Sequence, residues 1–168
     1  MNTIIHTNPD FEGIKFCAKA LDKDNAYHSM MFLHITDVLI EGTDGHRLHE
    51  YKPTDGLSCN LSPGLYRIGK NNKTFIELEK EENPPTYPNT SVVWPDYEAT
   101  PSFDSKFGTD EMTSYAKLVR QLPEDITVNF HYMADIGEDF TCYPMDGKSP
   151  IVCQHGFLRA LVMPMKMY

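Results

Sequence analysis

Apolar positions in the first part of the chain follow a helical period. From residue 8 to residue 21 they recur three or four residues apart, at Phe11, Ile14, Ala18 and Leu21. The preceding Asn8-Pro9-Asp10 is typical of a helix start, where Asn8 or Asp10 can cap free amides. The pattern predicts a helix here, with Lys15 and Lys19 on another face.

The pattern then changes to short strand-like runs. Between Met30 and Tyr51 apolar residues occur in such runs, and Gly42 to Gly45 are predicted to form a turn between two strands. A second group of strands is predicted after Pro63-Gly64, around Leu65, Arg67 and Lys73–Leu78, with a turn at Asn71-Asn72.

The stretch from Glu79 to Asp104 is rich in proline and carries Trp94 and Tyr97. Because aromatic side chains need a surface to pack against, it is predicted to be an ordered connection and not a random linker.

A second helix is predicted after Gly108, with Thr109 as its cap and acidic residues in its first turn. Lys117 and Arg120 fall on its outer face, and Pro123 ends it. Its predicted buried stripe is Met112, Tyr115, Leu118, Val119 and Leu122.

The remaining residues are predicted to form strands. Apolar residues alternate from Ile126 to Tyr132, recur around Phe140, Cys142 and Ile151–Cys153, and alternate again from Phe157 to Tyr168. The order helix, strands, connection, helix, strands predicts an α+β fold of two similar halves, each a helix packed on antiparallel strands. The predicted organisation is a single domain over 1–168, with a first half at 1–80, a connection at 81–108 and a second half at 109–168.

Composition argues against a generally basic nucleic-acid-binding protein, a membrane protein and a secreted protein. The chain has 168 residues, 40% of them hydrophobic, and a net charge of −9, so any contact with nucleic acid needs a local basic patch. No apolar run approaches the ~20 residues of a membrane helix, and the first ten residues do not resemble a secretory signal. The four cysteines are scattered, which predicts free buried thiols and a cytoplasmic protein without a membrane partner.

Catalytic signatures are weak. Asp44, His46 and His49 lie close in sequence, but His46 and His49 fall on opposite faces of an extended segment, so a metal site is not expected. The sequence has no glycine-rich phosphate loop, and no serine or cysteine has an identifiable partner base. We therefore expect no cofactor, no metal and no catalytic residues, and hence not an enzyme.

Two motifs carry a family resemblance. Thr43-Asp44-Gly45-His46-Arg47-Leu48 resembles the TDGHRL signature in the middle domain of the bacterial DNA polymerase III sliding clamp (beta subunit). Val162-Met163-Pro164-Met165-Lys166 resembles the VMPMR end of that family. Weaker similarities occur at Tyr87–Pro95, at Met112–Leu122 and at Ser149-Pro150-Ile151.

The resemblance implies a DNA-clamp-like fold and a hydrophobic pocket for short linear peptides of polymerases and other replication factors. One wall of this pocket would comprise Thr43, Gly45, His46, Arg47 and Leu48. The other would comprise Leu161, Met163, Pro164 and Met165, with Tyr115 contributing. Lys15, Lys19, Lys117 and Arg120 would face the phosphates of double-stranded DNA.

One departure leaves alternatives open. Clamps of this family have three such domains per chain and dimerise into a six-domain ring, whereas this chain is long enough for one. It would form a homo-oligomer of about six copies, or it no longer encircles DNA. The alternatives to a clamp are a monomeric peptide-binding module that mimics the clamp pocket without DNA, and an unrelated α+β enzyme.

Overall fold

The computed structural model describes residues 1–22, 28–105 and 111–165, and only the backbone of residues 111–115. The chain divides into two compact units, Met1–Asn89 and Thr90–Tyr168. Each contains helix and antiparallel strands, as predicted for an α+β fold. Among the described ranges no helix is both long and apolar enough to cross a membrane.

The first unit is one antiparallel sheet with the strand order β1-β6-β5-β2-β3-β4. The strands are Asn2–Ile5 (β1), Leu33–Ile35 (β2), Ile40–Thr43 (β3), Arg47–Tyr51 (β4), Gly64–Asn71 (β5) and Phe75–Lys80 (β6). A 3-10 turn, His28–Met31, precedes β2. The predicted strands are confirmed, but both turns lie later than predicted, at residues 44–46 and 72–74, because Gly42, Thr43 and Asn71 belong to strands.

Helix α1, Phe11–Ala18, packs on β3 and β4. Phe11 and Ile14 are buried as predicted, and the helix also buries Phe16 and Cys17. The approach is closest at Gly42 of β3, where an added Cβ would lie 2.4 Å from the carbonyl oxygen of Cys17. The absence of a side chain at Gly42 therefore sets the distance between helix and sheet.

Asp10 has a different role from the predicted one. It occupies the N-cap position of α1, but its side chain makes no capping hydrogen bond. Its buried carboxylate accepts hydrogen bonds from the Tyr51 hydroxyl at 3.0 Å and from the backbone N–H groups of Ser58 and Cys59 at 2.6 and 2.7 Å. The carboxylate thus joins the start of the helix to β4 and to the loop after β4. Because it is occupied by these partners, it does not cap the amides of the helix.

The Asp10–Tyr51 contact gives a pH prediction. Burial, together with the hydrogen bond to Asp10, raises the pKa of Tyr51 from 10 to about 12. The folded protein therefore favours the neutral phenol, and its contribution to stability is complete below pH 10 and is lost as pH rises towards 12. We expect Tyr51→Phe to remove a decline of roughly 2 kcal/mol in the free energy of unfolding across this range, measured by urea unfolding. An equally steep decline in the variant would contradict this assignment.

The second unit contains a four-stranded antiparallel sheet with the order β10-β9-β8-β7. Its strands are Phe103–Asp104 (β7), Thr141–Tyr143 (β8), Ile151–His155 (β9) and Leu158–Val162 (β10). Its helices are Glu111–Gln121 (α2) and Phe130–Ile136 (α3), and α3 contacts β10. The predicted helix before Pro123 and the strand around Ile151–Cys153 are confirmed.

The strand predicted from Ile126 to Tyr132 is wrong. Within this range residues 126–129 have no regular secondary structure, and helix α3 begins at Phe130. Asn129 has an extended backbone, and its side chain accepts a hydrogen bond from the N–H of His131, which is N-cap geometry. Met133 and Ile136, three residues apart, are the buried residues of the helix, so a helical period replaces the alternating one.

Two further predictions in this unit need correction. Val119 was assigned to the buried stripe of α2 but is 51% exposed, whereas Leu118 is fully buried. The C-terminal strand ends at Val162 instead of continuing along the tail, in keeping with Pro164, which cannot donate to a strand ladder. The Thr109 cap, the side chains of Met112 and Tyr115, and Met167 and Tyr168 lie outside the described residues.

The proline-rich connection is ordered by aromatic contacts, as predicted. In the first unit the Tyr87 ring lies 4.6 Å from the His34 ring, and burial raises the pKa of Tyr87. In the second, Arg159 lies over the Trp94 ring at 4.2 Å, and the Tyr97 hydroxyl donates to Gln154 at 3.0 Å. All four cysteines are buried and unbridged, which confirms the expectation of free thiols.

Candidate functional site

The TDGHRL motif forms the tight turn between β3 and β4. Gly45 adopts a φ of +85°, in the left-handed region that favours glycine. The Thr43 hydroxyl donates to the backbone oxygen of Arg47 at 2.6 Å and accepts from the N–H of Gly45 at 3.1 Å. The Thr43 side chain therefore holds the two ends of the turn together, in addition to the backbone pairing of β3 with β4.

Asp44 organises the same turn from the other side. One carboxylate oxygen accepts from the N–H groups of His46 and Arg47 at 2.9 and 3.0 Å, and the other accepts from Nε of Arg47 at 3.0 Å. Arg47 is itself buried. Part of its guanidinium thus serves the turn, and Arg47 is not a freely mobile cation at the rim of a pocket.

The motif presents a mixed surface. Gly45 and His46 are exposed, whereas Thr43, Arg47 and Leu48 are buried. Beside Gly45, the Met30 sulfur lies 3.5 Å from the position that a Cβ would take. The backbone of Gly45 therefore lies beside the polarizable thioether of Met30, and methionine surfaces of this kind accept varied apolar groups.

The Asp44 bonds give a second prediction. Asp44→Ala removes the acceptor of two turn amides and of Nε of Arg47, so we expect the free energy of unfolding to fall by about 2 kcal/mol. Asp37→Ala is the matched control, since Asp37 is an exposed aspartate in the turn at the other end of β3, and its substitution is expected to change stability by less than about 0.5 kcal/mol. Equal denaturation midpoints for the two variants would rule out the structural role of Asp44.

The second predicted wall belongs to the other unit. Leu161 is buried in β10, whereas Met163 and Met165 are 38% and 48% exposed, with Pro164 between them. The N–H of Met165 donates to the carbonyl oxygen of Thr127 at 2.7 Å. This bond holds the chain after β10 beside the 126–129 segment, and it leaves two methionine side chains accessible to a ligand.

The sequence did not predict a groove that lies within the second unit. It has a volume of about 300 Å³ and is formed by the end of α2 and the segment after it. Its apolar lining includes Leu118, Leu122, Ile126 and Val128, and the exposed Val119 contributes to its wall. The sequence signal for this groove is the excess of apolar residues on the last turns of α2, a pattern that equally predicts a buried core face.

The four predicted DNA-facing cations differ in their surroundings. Nζ of Lys15 donates to the carbonyl oxygen of Asn72 at 3.0 Å and lies 5.2 Å from the Phe11 ring centroid, so it is partly engaged. Lys19, Lys117 and Arg120 are exposed, which agrees with the predicted outer faces of the two helices. Exposure of this kind permits contact with phosphates, but it is also typical of solvated helices.

The residues considered for a metal site do not assemble into one. His49 is fully buried under α1, where its Nδ1 lies 2.8 Å from the carbonyl oxygen of Phe16 and its ring stacks on the Phe16 ring. His46, by contrast, is exposed in the turn. Within the described parts of the chain, no three His, Cys, Asp or Glu side chains are grouped so that they could hold a metal ion.

No protein family model matches the chain. No curated protein matches it in sequence.

Solved structures do match it. The Helicobacter pylori beta clamp bound to a DNA ligase peptide is 14% identical, with a TM-score of 0.59 over 98% of this chain. DNA polymerase III subunit beta from Borrelia burgdorferi, solved with a natural product, is 12% identical, with a TM-score of 0.60 over 100% of this chain. The Streptococcus pneumoniae beta chain is 13% identical, with a TM-score of 0.62 over 99% of this chain.

The match covers nearly the whole of this chain but only 65% of each of those three proteins. At such low identity the likeness concerns the arrangement of strands and helices and not the binding residues. The chain therefore has the α+β fold of the DNA polymerase III beta sliding clamps.

Proposed function

We propose that this protein is a sliding-clamp-like factor in DNA replication, without enzymatic activity, that binds short linear peptides of polymerases or replication factors. The observation that supports this most is the combination of a clamp fold over nearly the whole chain with a TDGHRL turn whose backbone is held by Thr43 and Asp44. A preorganised turn loses little entropy when a ligand docks against it.

In this proposal the turn of the first unit and the chain after β10 in the second unit each supply contacts for a peptide. Met163 would contact an apolar anchor of the peptide, buried Leu48 would support the turn from beneath, and exposed His46 would lie at the rim. Two buried anchors of about 100 Å² each contribute roughly 2–3 kcal/mol apiece, which predicts micromolar and not nanomolar affinity. Tyr115 and Leu161 remain secondary candidates for the contacts in the second unit.

Fluorescence anisotropy with a labelled peptide tests the proposal. A DNA ligase peptide is the appropriate probe, because the Helicobacter pylori clamp of the same fold was solved with one. We expect saturable binding in the micromolar range and none to a peptide with the same composition in scrambled order. Absence of binding at millimolar protein would reject the peptide site.

The proposal extends to DNA. Copies of the chain would assemble around a duplex, with Lys117 and Arg120 of α2 and Lys19 after α1 directed at phosphates. Such contacts carry no base specificity, which suits a protein that slides. Weak retention on circular duplex DNA that disappears as salt is raised is the expected result.

Native mass spectrometry at high protein concentration distinguishes a ring-forming oligomer from a monomeric peptide-binding module. A closed oligomer supports the DNA-encircling form. Monomer alone, together with peptide binding, would replace the ring with a stand-alone module that uses the same pocket and does not touch DNA. Monomer without peptide binding would reject both.

A further inference from the structure

Two of the four cysteines face each other in the second unit. Cys142 of β8 and Cys153 of β9 are direct partners in the antiparallel ladder, and both are completely buried. Burial raises the pKa of the Cys153 thiol well above its usual value, and the neighbouring Cys142 side chain raises it further. The register thus places the two side chains opposite each other, while burial suppresses the thiolate form of Cys153.

The backbone geometry of such a pair is compatible with a disulfide. Directly opposed residues of antiparallel strands have Cα atoms about 4.5–5.5 Å apart, within the range that disulfides use. Their Cβ atoms lie about 4.5–5.5 Å apart, so closing the bond requires an approach of up to about 1 Å. Cys17 lies in α1, where its thiol donates to the backbone oxygen of Ile40, and Cys59 lies in the loop after β4, so neither cysteine belongs to a strand ladder.

The strand that pairs with Cys142 on the other side of β8 is short. Strand β7 has only two residues, forms the edge of the sheet in this unit, and pairs Phe103 with Cys142. A two-residue edge strand contributes few ladder bonds, and edges open locally at lower free energy than the core. Detachment of β7 would uncover Cys142 first.

Ser105 anchors that strand. Its side chain is fully buried, and its hydroxyl donates to the carbonyl oxygen of Gly137 at 3.1 Å and accepts from the N–H of Phe140 at 2.8 Å. Its backbone N–H and C=O bond Phe140 and Asp139 at 2.7 and 3.2 Å. Four hydrogen bonds thus hold the residue directly after β7 against the turn that leads into β8.

We propose that Cys142 and Cys153 form a redox-sensitive couple that is protected while Ser105 holds β7 in place and that oxidises to a disulfide when β7 detaches. With a small disulfide as oxidant, the Cys142 thiolate attacks one of its sulfurs and releases the first thiol. Cys153 then attacks the mixed disulfide at the Cys142 sulfur and releases the second. Two protein S–H bonds are lost, one protein S–S bond forms, and the oxidant is reduced to two thiols.

The bond would fix β8 to β9 and close the segment 144–150 between them into a covalent loop. Because β9 leads directly through β10 to Met163 and Met165, oxidation restrains the half of the sheet that carries the chain end. Slower hydrogen exchange of the β8 and β9 amides, by about tenfold or more, is the expected signature of the oxidised state.

The test treats the full-length protein with oxidised glutathione, alkylates the remaining thiols and maps the disulfides by mass spectrometry. We expect one intramolecular bond, between Cys142 and Cys153, with Cys17 and Cys59 recovered as alkylated thiols after unfolding. Cys153→Ser should instead leave Cys142 as a mixed disulfide with glutathione. If the wild-type protein and the Ser105→Ala variant both fail to form the 142–153 bond, the couple is refuted.

The control of access is tested separately. Ser105→Ala removes two of the four anchoring bonds and is expected to accelerate disulfide formation about tenfold. Ser102→Ala, an exposed serine one residue before β7, is the matched control and should leave the rate unchanged. Equal rates in the Ser105→Ala variant and the wild type would overturn the anchoring role. If that variant does not fold, Phe103→Ala, which weakens the packing of β7 itself, carries the same test.

Discussion

Replacing Gly42 by alanine is expected to lower the free energy of unfolding by about 3 kcal/mol. The new Cβ would lie 2.4 Å from the carbonyl oxygen of Cys17 and 3.0 Å from a methyl group of Leu21. The oxygen belongs to the backbone of α1, so a rotamer change cannot relieve the overlap. The helix would have to move away from β3 and β4, and it would thereby disturb the packing of Phe16 on His49.

Urea unfolding followed by circular dichroism measures this effect. Gly69→Ala is the control, since Gly69 lies in β5 of the same sheet and its added Cβ would meet a side-chain carbon of Glu77 at 3.2 Å, a contact that a small shift relieves. We expect its stability to change by less than about 1 kcal/mol. If Gly42→Ala were as stable as Gly69→Ala, the close approach of α1 to β3 would be incorrect.

Substitutions in the turn and in the chain after β10 are expected to weaken peptide binding strongly. Met163→Ala and Leu48→Ala should each raise the dissociation constant of the DNA ligase peptide about tenfold, roughly 1.4 kcal/mol. Met163→Ala removes an apolar contact with the peptide, and Leu48→Ala removes the buried side chain that supports the turn. Combining the two substitutions should abolish measurable binding in the micromolar range. Fluorescence anisotropy gives the affinities.

This experiment has one control substitution in each unit. Val38→Ala and Phe157→Ala truncate apolar side chains that are 52% and 51% exposed in the first and second units, and neither residue belongs to the proposed pocket. Both variants should bind as the wild type does. Because Leu48 is buried, its variant must also keep the wild-type circular dichroism spectrum. Unchanged affinity in a folded Leu48→Ala and Met163→Ala double variant would exclude the pocket.

Much of the fold follows from local signals, and the errors have identifiable causes. Helix α1 and the hairpin around residues 44–46 were predictable because apolar spacing, glycine positions and turn residues agreed. The strand predicted over 126–132 is wrong because apolar residues alternate there by chance, whereas the side chain of Asn129 caps a helix that begins at Phe130. The exposure of Val119 could not be derived, since a helical period shows that one face is apolar and not how much of it is covered.

The candidate site was predictable only in part. The motif at residues 43–48 identified the turn, but the bonds of Asp44 to Arg47 require a three-dimensional geometry that no spacing rule contains. Likewise, Lys15 was expected to face solvent, and its bond to Asn72 joins residues 57 positions apart. Long-range partners of this kind decide whether a charged side chain is available to a ligand.

The stacking of Trp94 with Arg159 has a practical consequence. Trp94 is the only tryptophan of the protein, and its contact partner lies in the same unit. Indole emission therefore reports the melting of Thr90–Tyr168 alone, while far-ultraviolet circular dichroism reports both units. Coincident transitions for the two signals would identify one cooperative body, and separate midpoints would show that each half of this small protein melts independently.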